Sequence, residues 1–274
     1  VATQRQKGEA FRDLHAKGNF FLIPNPWDAG SARLLQHMGF PALATTGVGI
    51  AFSRGAPDFG LAREPMLDCV ATIVGATDLP VSADLQDGFG AGPDAVAAAI
   101  RSAAAAGALG ASIEDATGDP ANPLFDVGLA ADRIRAAVEA VRSLDFPVTV
   151  TARAETYLYG QPDIGVTIAR LQAYQDAGAD VLFAPGIASR ADVAALVGAV
   201  DRPVNVLAGL RGQDFTAQAL RELGVTRVSV GGALARHAYA ALLRAGRQLL
   251  DAGTFGFAGD AMPGPEINRI FAEA

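Results

Sequence analysis

Acidic, amide and cationic side chains close three neighbouring apolar runs in the middle of this chain. PVSADL leads through Asp84 to Gln86, GASIED ends on Glu114 and Asp115, and PVTVTARA carries Arg153 with Glu155 just beyond. The oxygens of Asp84, Gln86 and Glu114 form a donor set for a hard cation. Mg²⁺ fits, with Mn²⁺ as a substitute, because it keeps several waters and needs only one or two carboxylates. His15, His37 and His237 all fall in helical stretches away from these ends, which argues against zinc or iron. Arg153 is a cation that must meet a carboxylate: Glu155, or a substrate carboxylate or phosphonate held by two parallel hydrogen bonds. The run ALATTG ends at Thr45, Thr46 and Gly47, and Thr46-Gly47-Val48-Gly49 begins a glycine-containing loop. Its backbone N–H groups suit an anionic oxygen. Trp27, at the end of the first run, is either a wall of the same site or a plug beneath the first loop. The competing reading of acidic residues at such places is helix capping.

These groups converge only if the runs are strands that end on one side. Eight runs read as strands: 20–26, 42–47, 80–85, 110–115, 147–154, 179–186, 203–209 and 227–232. Helical spacing separates them, near 28–38, 62–76, 93–106, 129–143, 163–177, 189–198, 214–223 and 233–251. Strict alternation implies parallel strands joined by crossover helices. Pro41, Pro80, Pro147 and Pro203 open strands, where a missing N–H is tolerated. Eight units in about 250 residues is the arithmetic of an α/β (β/α)8 TIM barrel, whose reactive groups sit at the C-terminal strand ends. An open doubly wound sheet would carry a glycine-rich phosphate loop after its first strand; here that place reads Asn25-Pro26-Trp27-Asp28. The chain, 1–274, reads as one domain with an extra C-terminal helical tail from about 252.

Composition narrows the partners. Lys and Arg number 22 against 29 Asp and Glu, a formal net charge of −7, so no global positive field attracts nucleic acid. No apolar run reaches the roughly 20 residues of a bilayer span. The single cysteine, Cys69, forms no internal disulfide and lies in the apolar helix LDCVATIVGA, as packed core does. The polar N-terminus lacks the layout of a signal segment, and the expectation is a soluble, cytoplasmic protein.

Taken together, NPWDAGSARLL, TTGVGIAFSRGAPD, VSADLQDGFG, ASIEDATG and TARAET resemble the isocitrate lyase / phosphoenolpyruvate mutase superfamily, from about Phe20 to the tail. The resemblance implies a barrel that binds Mg²⁺ and a small 2-oxo acid or its phosphonate analogue, and reacts through an enolate-like pyruvate. It implies Asp84 as the direct metal ligand, with Gln86 at the second family position and Asp58 and Glu114 holding metal-bound water. Arg153 then grips the substrate carboxylate, and Thr46, Gly47 and Val48, or the same set shifted one residue earlier to begin at Thr45, bind the oxyanion. It also implies a homo-oligomer, dimer or tetramer, with the tail exchanged between subunits. Three departures matter. Gln86 stands where relatives carry an acid. The loop Ala116–Phe125 has no Cys, His or Lys and keeps only Asn122 of the mutase pair. Leu207 replaces a lyase Asn. The expected chemistry is phosphonomutase-like or oxaloacetate-decarboxylase-like. The alternatives are a carbon–carbon lyase of the methylisocitrate type and a non-catalytic barrel that binds a small acid.

Overall fold

In the computed structural model, which describes residues 2–273, alternation of strand and helix runs the length of the chain. The strands are β1 Phe21–Ile23, β2 Leu43–Ala44, β3 Val81–Asp84, β4 Gly110–Glu114, β5 Thr149–Arg153, β6 Val181–Phe183, β7 Val204–Leu207 and β8 Arg227–Ser229. The helices are α1 Gln4–Leu14, α2 Ala29–His37, α3 Gly47–Ser53, α4 Arg63–Gly75, α5 Pro93–Ala105, α6 Val127–Arg142, α7 Ile164–Asp176, α8 Arg190–Ala199, α9 Ala217–Glu222, α10 Ala233–Arg247 and α11 Gly264–Glu273. All ladders are parallel, in the order β1-β8-β7-β6-β5-β4-β3-β2. The seam between β1 and β2 is spanned by the Ala44 N–H, which donates to the Pro24 carbonyl at 3.1 Å, and by Asn25 Nδ2, which donates to the Thr45 carbonyl at 3.1 Å. The (β/α)8 barrel expected from the alternation is therefore the fold.

The β period sorts the strand residues into two faces. Ala83, Ala111, Ile113, Val150, Ala152, Leu182, Val206 and Val228 belong to the main hydrophobic cluster, which also takes in residues of α5 to α9. The other set, Ser82, Asp84, Ser112, Glu114, Thr151, Arg153, Asn205, Arg227 and Ser229, is absent from that cluster. Barrel interiors are ordinarily filled with bulky branched side chains. Here the main apolar core lies between sheet and helices, and the barrel interior is rich in polar side chains, interspersed with Ile23, Phe183 and Leu207.

Two local findings differ from the sequence expectation. Thr46 begins a helix rather than a loop: its Oγ1 accepts from the Gly49 N–H at 3.3 Å and its carbonyl from Ile50 at 2.9 Å. Glycine content suggested a loop, but a side-chain cap and burial of Ile50 and Ala51 hold the turn. At the other end, α10 stops at Arg247, and a π turn at 248–252 and a 3-10 turn at 256–260 precede α11. The last helix packs on α2 of its own chain, where Arg33 Nη1 donates to the Phe271 carbonyl at 3.0 Å.

Helix α1 closes the N-terminal end of the barrel. It is started by a capping box between Thr3 and Gln6, and approaches β5 so closely that a Cβ on Gly8 would stand 2.5 Å from the Pro147 carbonyl. Just past it, His15 is buried with its ring edge-on to Phe11 and Phe21, at 4.8 and 5.0 Å. Its Nδ1 lies 2.8 Å from the Phe11 carbonyl and its Nε2 3.4 Å from Arg227 Nη1. Burial, and then the Arg227 charge, push its pKa from 6.5 down to about 3. The unfolded chain thus binds a proton that the folded chain refuses between those values. The resulting stability is complete above the unfolded pKa and is lost as pH falls toward the folded one, amounting to about 2 kcal/mol by pH 5. Urea unfolding at pH 7 and pH 5 should show this loss, and His15→Gln should remove about that much of it. An equal loss in the variant would refute the assignment.

Candidate active site

At the C-terminal ends of the strands a cavity of about 340 Å³ opens. Arg153 stands at the end of β5 in register with Glu114 on β4 and Phe183 on β6. Its guanidinium meets three carboxylates: Nη1 lies 3.0 Å from Asp84 Oδ1, Nη2 2.9 Å from Glu114 Oε2, and Nε 2.9 Å from Glu155 Oε1. The Phe183 ring centroid lies 5.3 Å from its central carbon. Burial alone would weaken the arginine's charge, but Glu114, Glu155 and Asp84 outweigh it and hold its pKa well above the ordinary value.

The acids are less well served. Asp84, Glu114, Glu155 and Asp58 carry four formal negative charges, and Arg153 supplies one positive. Burial raises the pKa of Glu114 strongly, against the pull of Arg153 and with the push of Glu155 and Asp84. Burial likewise raises Glu155 and Asp58. Salt-bridge geometry and pKa direction thus point opposite ways for Glu114, because one guanidinium shared among three acids does not offset the loss of water.

Several contacts aim these groups. Asp84 Oδ2 accepts from the Gly47 N–H at 2.8 Å, and its Oδ1 accepts from Ser112 at 3.3 Å. The Asp84 N–H in turn donates to Thr45 Oγ1 at 2.9 Å. Gln86 takes a left-handed φ of 52°, rare for a residue with a Cβ, and its Nε2 donates to Asp58 Oδ1 at 3.1 Å. Gly47 packs tightly beside it, since a Cβ there would lie 3.0 Å from Gln86 Cγ and the glutamine would have to shift. Asp115 Oδ1 accepts from the Glu155 N–H at 2.8 Å, while its Oδ2 takes Arg170 at 3.0 Å and the Tyr174 hydroxyl at 2.6 Å. This buried acid ties the end of β4 to the start of the β5 loop and to α7.

Of the residues singled out from sequence, Thr45, Thr46, Val48, Asp58, Asp84, Gln86, Glu114, Arg153 and Glu155 line the cavity. Gly47 contributes its N–H to Asp84 rather than to the open space. Trp27 and Asn122 are not among the lining residues. Trp27 packs with the cluster around Leu35, Ile50 and Met66, so it serves as the plug and not the wall. Asn122 lies in an exposed loop that satisfies itself: Thr117 N–H donates to the Pro123 carbonyl at 2.9 Å, and Asn122 N–H to the Asp119 carbonyl at 3.1 Å. Asn25, Phe59, Tyr159, Asn205, Arg227 and Ser229 also line the cavity and were not singled out. For Asn205, Arg227 and Ser229 the signal was available as polar residues at alternate positions of otherwise apolar strands.

Among the described residues no three acidic, His or Cys side chains converge into a ready cage for an ion. The donors still fit a hard divalent cation, because the cluster is all oxygen, carries surplus negative charge, and Mg²⁺ binds with one or two carboxylates plus water.

Arg153→Lys should cost about 3–5 kcal/mol in chemical unfolding, since one ammonium does not bridge three separated acids and leaves buried carboxylates unpaired. A loss below about 1 kcal/mol would mean the cluster is not held together by this fork.

The profile of the phosphoenolpyruvate phosphomutase family matches residues 11–250. The structure of a candidate lyase/mutase from Burkholderia cenocepacia superposes with a TM-score of 0.96 at 55% identity, covering 98% of this chain and 96% of that one. The 2-methylisocitrate lyase of Escherichia coli is 33% identical over 205 residues, 72% of this chain and 68% of the lyase. Oxaloacetate acetylhydrolase, solved with its product oxalate, is 27% identical with a TM-score of 0.88, covering 97% and 93% of the two chains. With the barrel, the strand-end acids and the family profile in agreement, this chain belongs to the phosphoenolpyruvate phosphomutase family, within the PEP mutase/isocitrate lyase superfamily of enzymes.

Proposed function

We propose that this chain is a divalent-metal-dependent enzyme that breaks the C3–C4 bond of a small 2-oxo dicarboxylic acid, with oxaloacetate decarboxylation as its reaction. The observation that carries this reading is the composition of the cavity: a shared guanidinium, surplus acids and no thiol, imidazole or amine from the loop at 116–125. A lyase that expels a carbanion needs an acid to protonate it, whereas carbon dioxide leaves without one. The 2-methylisocitrate lyase relative therefore supports the cleavage class better than the particular substrate.

A cation of the Mg²⁺ or Mn²⁺ type, held by Asp84 and through water by Glu114 and Asp58, would supply positive charge for an enolate oxygen. Gln86 adds a neutral donor atom there and steadies Asp58. Arg153 spends three of its five N–H groups on the acids and keeps two for the substrate's 1-carboxylate. The Val48 N–H has no acceptor among the described residues and lines the same space, which suits a developing oxyanion. In the reaction the C3–C4 bond breaks, C4 leaves as carbon dioxide, the electron pair stays behind as the enolate of pyruvate, and C3 takes a proton from solvent water.

The family profile favours a second reading, in which a phosphonate analogue is the substrate and a P–C bond is made or broken. We further propose that the chain works as a homo-oligomer. Leu242, Leu243, Leu250 and Phe255 are all more than half exposed on α10 and the segment after it, and this apolar surface supports that reading. Among the described residues no helix is long and apolar enough to cross a membrane.

Oxaloacetate, phosphonopyruvate, phosphoenolpyruvate and alkylated malates and citrates should be screened with Mg²⁺ or Mn²⁺, following pyruvate release and phosphorus NMR. Metal-dependent pyruvate from oxaloacetate is expected, and Asp84→Ala should lower it by about a hundredfold or more. Undiminished turnover in that variant would sink the metal assignment, and turnover confined to the phosphonates would select the second reading.

A further inference from the structure

The cavity does not end at the carboxylate cluster. It continues down the barrel axis, where Ile23, Ser82, Asn205, Arg227 and Ser229 line it. Arg227 is 4% exposed and, unlike Arg153, meets no acid. Its Nε donates to Asn205 Oδ1 at 2.9 Å, its Nη2 to Thr151 Oγ1 at 3.0 Å, and its Nη1 faces His15 Nε2 at 3.4 Å. All three partners are neutral, and His15 is kept so by its own burial and by this arginine. Three of five N–H groups are engaged, so two remain.

Around it stand hydroxyls with unspent donors. Ser82 is 3% exposed and its Oγ has no hydrogen-bond partner among the described residues. Ser229 Oγ accepts from Asn205 Nδ2 at 3.0 Å, leaving its own O–H to give. A buried cation without a counter-charge is costly, and a well lined with spare donors is where an anion would offset that cost.

We propose that this well is an anion site, in which Arg227, Ser82 and Ser229 hold a carboxylate-sized monoanion beneath the strand-end carboxylates. The occupant is either a free small anion or the far carboxylate of a dicarboxylic substrate reaching down from the mouth. The site needs only groups of this chain; a free anion as occupant stands apart from the reaction proposed above, and a substrate carboxylate as occupant rests on it.

The test uses metal-free protein at neutral pH. Thermal unfolding is followed against sodium formate, with sodium gluconate at equal ionic strength as the control too bulky for the well. A saturable rise with formate alone is expected. Arg227→Gln should raise the half-saturating concentration on the order of tenfold or more, the worth of a charge-assisted hydrogen bond. Ser82→Ala, which keeps the arginine and its packing, should raise it about threefold to tenfold. Succinate then separates the sources. If formate competes with it and Ser82→Ala weakens it, the substrate's carboxylate is the occupant; if both bind together, a free anion is. No saturable effect beyond gluconate in the wild-type chain, or one unchanged in Ser82→Ala and in a folded Arg227→Gln, overturns the proposal.

Discussion

One guanidinium shared among three acids organises the C-terminal end of this barrel. Arg153 joins Asp84 from β3, Glu114 from β4 and Glu155 from the loop after β5. These are groups that repel one another, and burial pushes Glu114 and Glu155 toward their protonated forms. Their convergence is tolerable only with the arginine in place, and even then the acids outnumber it. That imbalance is the physical basis for expecting a cation there. Asp84 shows the dependence most directly, since the same carboxylate also receives the first N–H of α3. If the arginine moved, the start of that helix and the hydroxyl of Ser112 would lose their common acceptor.

The polar interior carries a consequence for stability. With the apolar face of every central strand turned toward the helices, the main core is a shell around the barrel. The inside contributes hydrogen bonds beside a smaller share of hydrophobic burial from residues such as Ile23 and Phe183. Such an interior is stable only when nearly every donor and acceptor is paired, and no side-chain polar atom fully sealed from solvent and cavity lacks a partner among the described residues. The atoms with spare capacity are those that face the cavity, which is where a ligand completes the set. The barrel therefore has a rim rich in acids and a floor with one uncompensated arginine, an arrangement of opposite signs along its axis.

Support for the rim comes from residues that no motif advertises. Asn25 Oδ1 accepts from the Val230 and Gly231 N–H groups at 2.9 and 2.8 Å, while its Nδ2 reaches Thr45. One amide thus holds the ends of three strands at the seam, where regular ladder bonds are fewest. Asp115 does similar work between β4, the β5 loop and α7. Such positioning residues fix the direction of neighbouring groups without belonging to the reaction.

The sequence alone determined the barrel, because eight apolar runs punctuated by Pro and Gly and separated by helical spacing admit few other topologies. It also determined that Asp84, Glu114 and Arg153 meet, since parallel strands must end on one side. The strand-end rule did not reach Arg227, Asn205 and Ser229. Asn205 and Arg227 lie lower in the strands, and Ser229 ends a β8 shorter than the 227–232 run; only the inward or outward sense of each position, set by the pleat and the closure of the sheet, reveals that they share a cavity. Asn122 and Trp27 mark the opposite case. Residue type and family position suggested the site, but a loop that satisfies its own hydrogen bonds and a ring that packs under α3 took them elsewhere. The tertiary structure decided these points because they depend on which partner wins a hydrogen bond or an apolar surface, and that competition is between residues far apart in the chain.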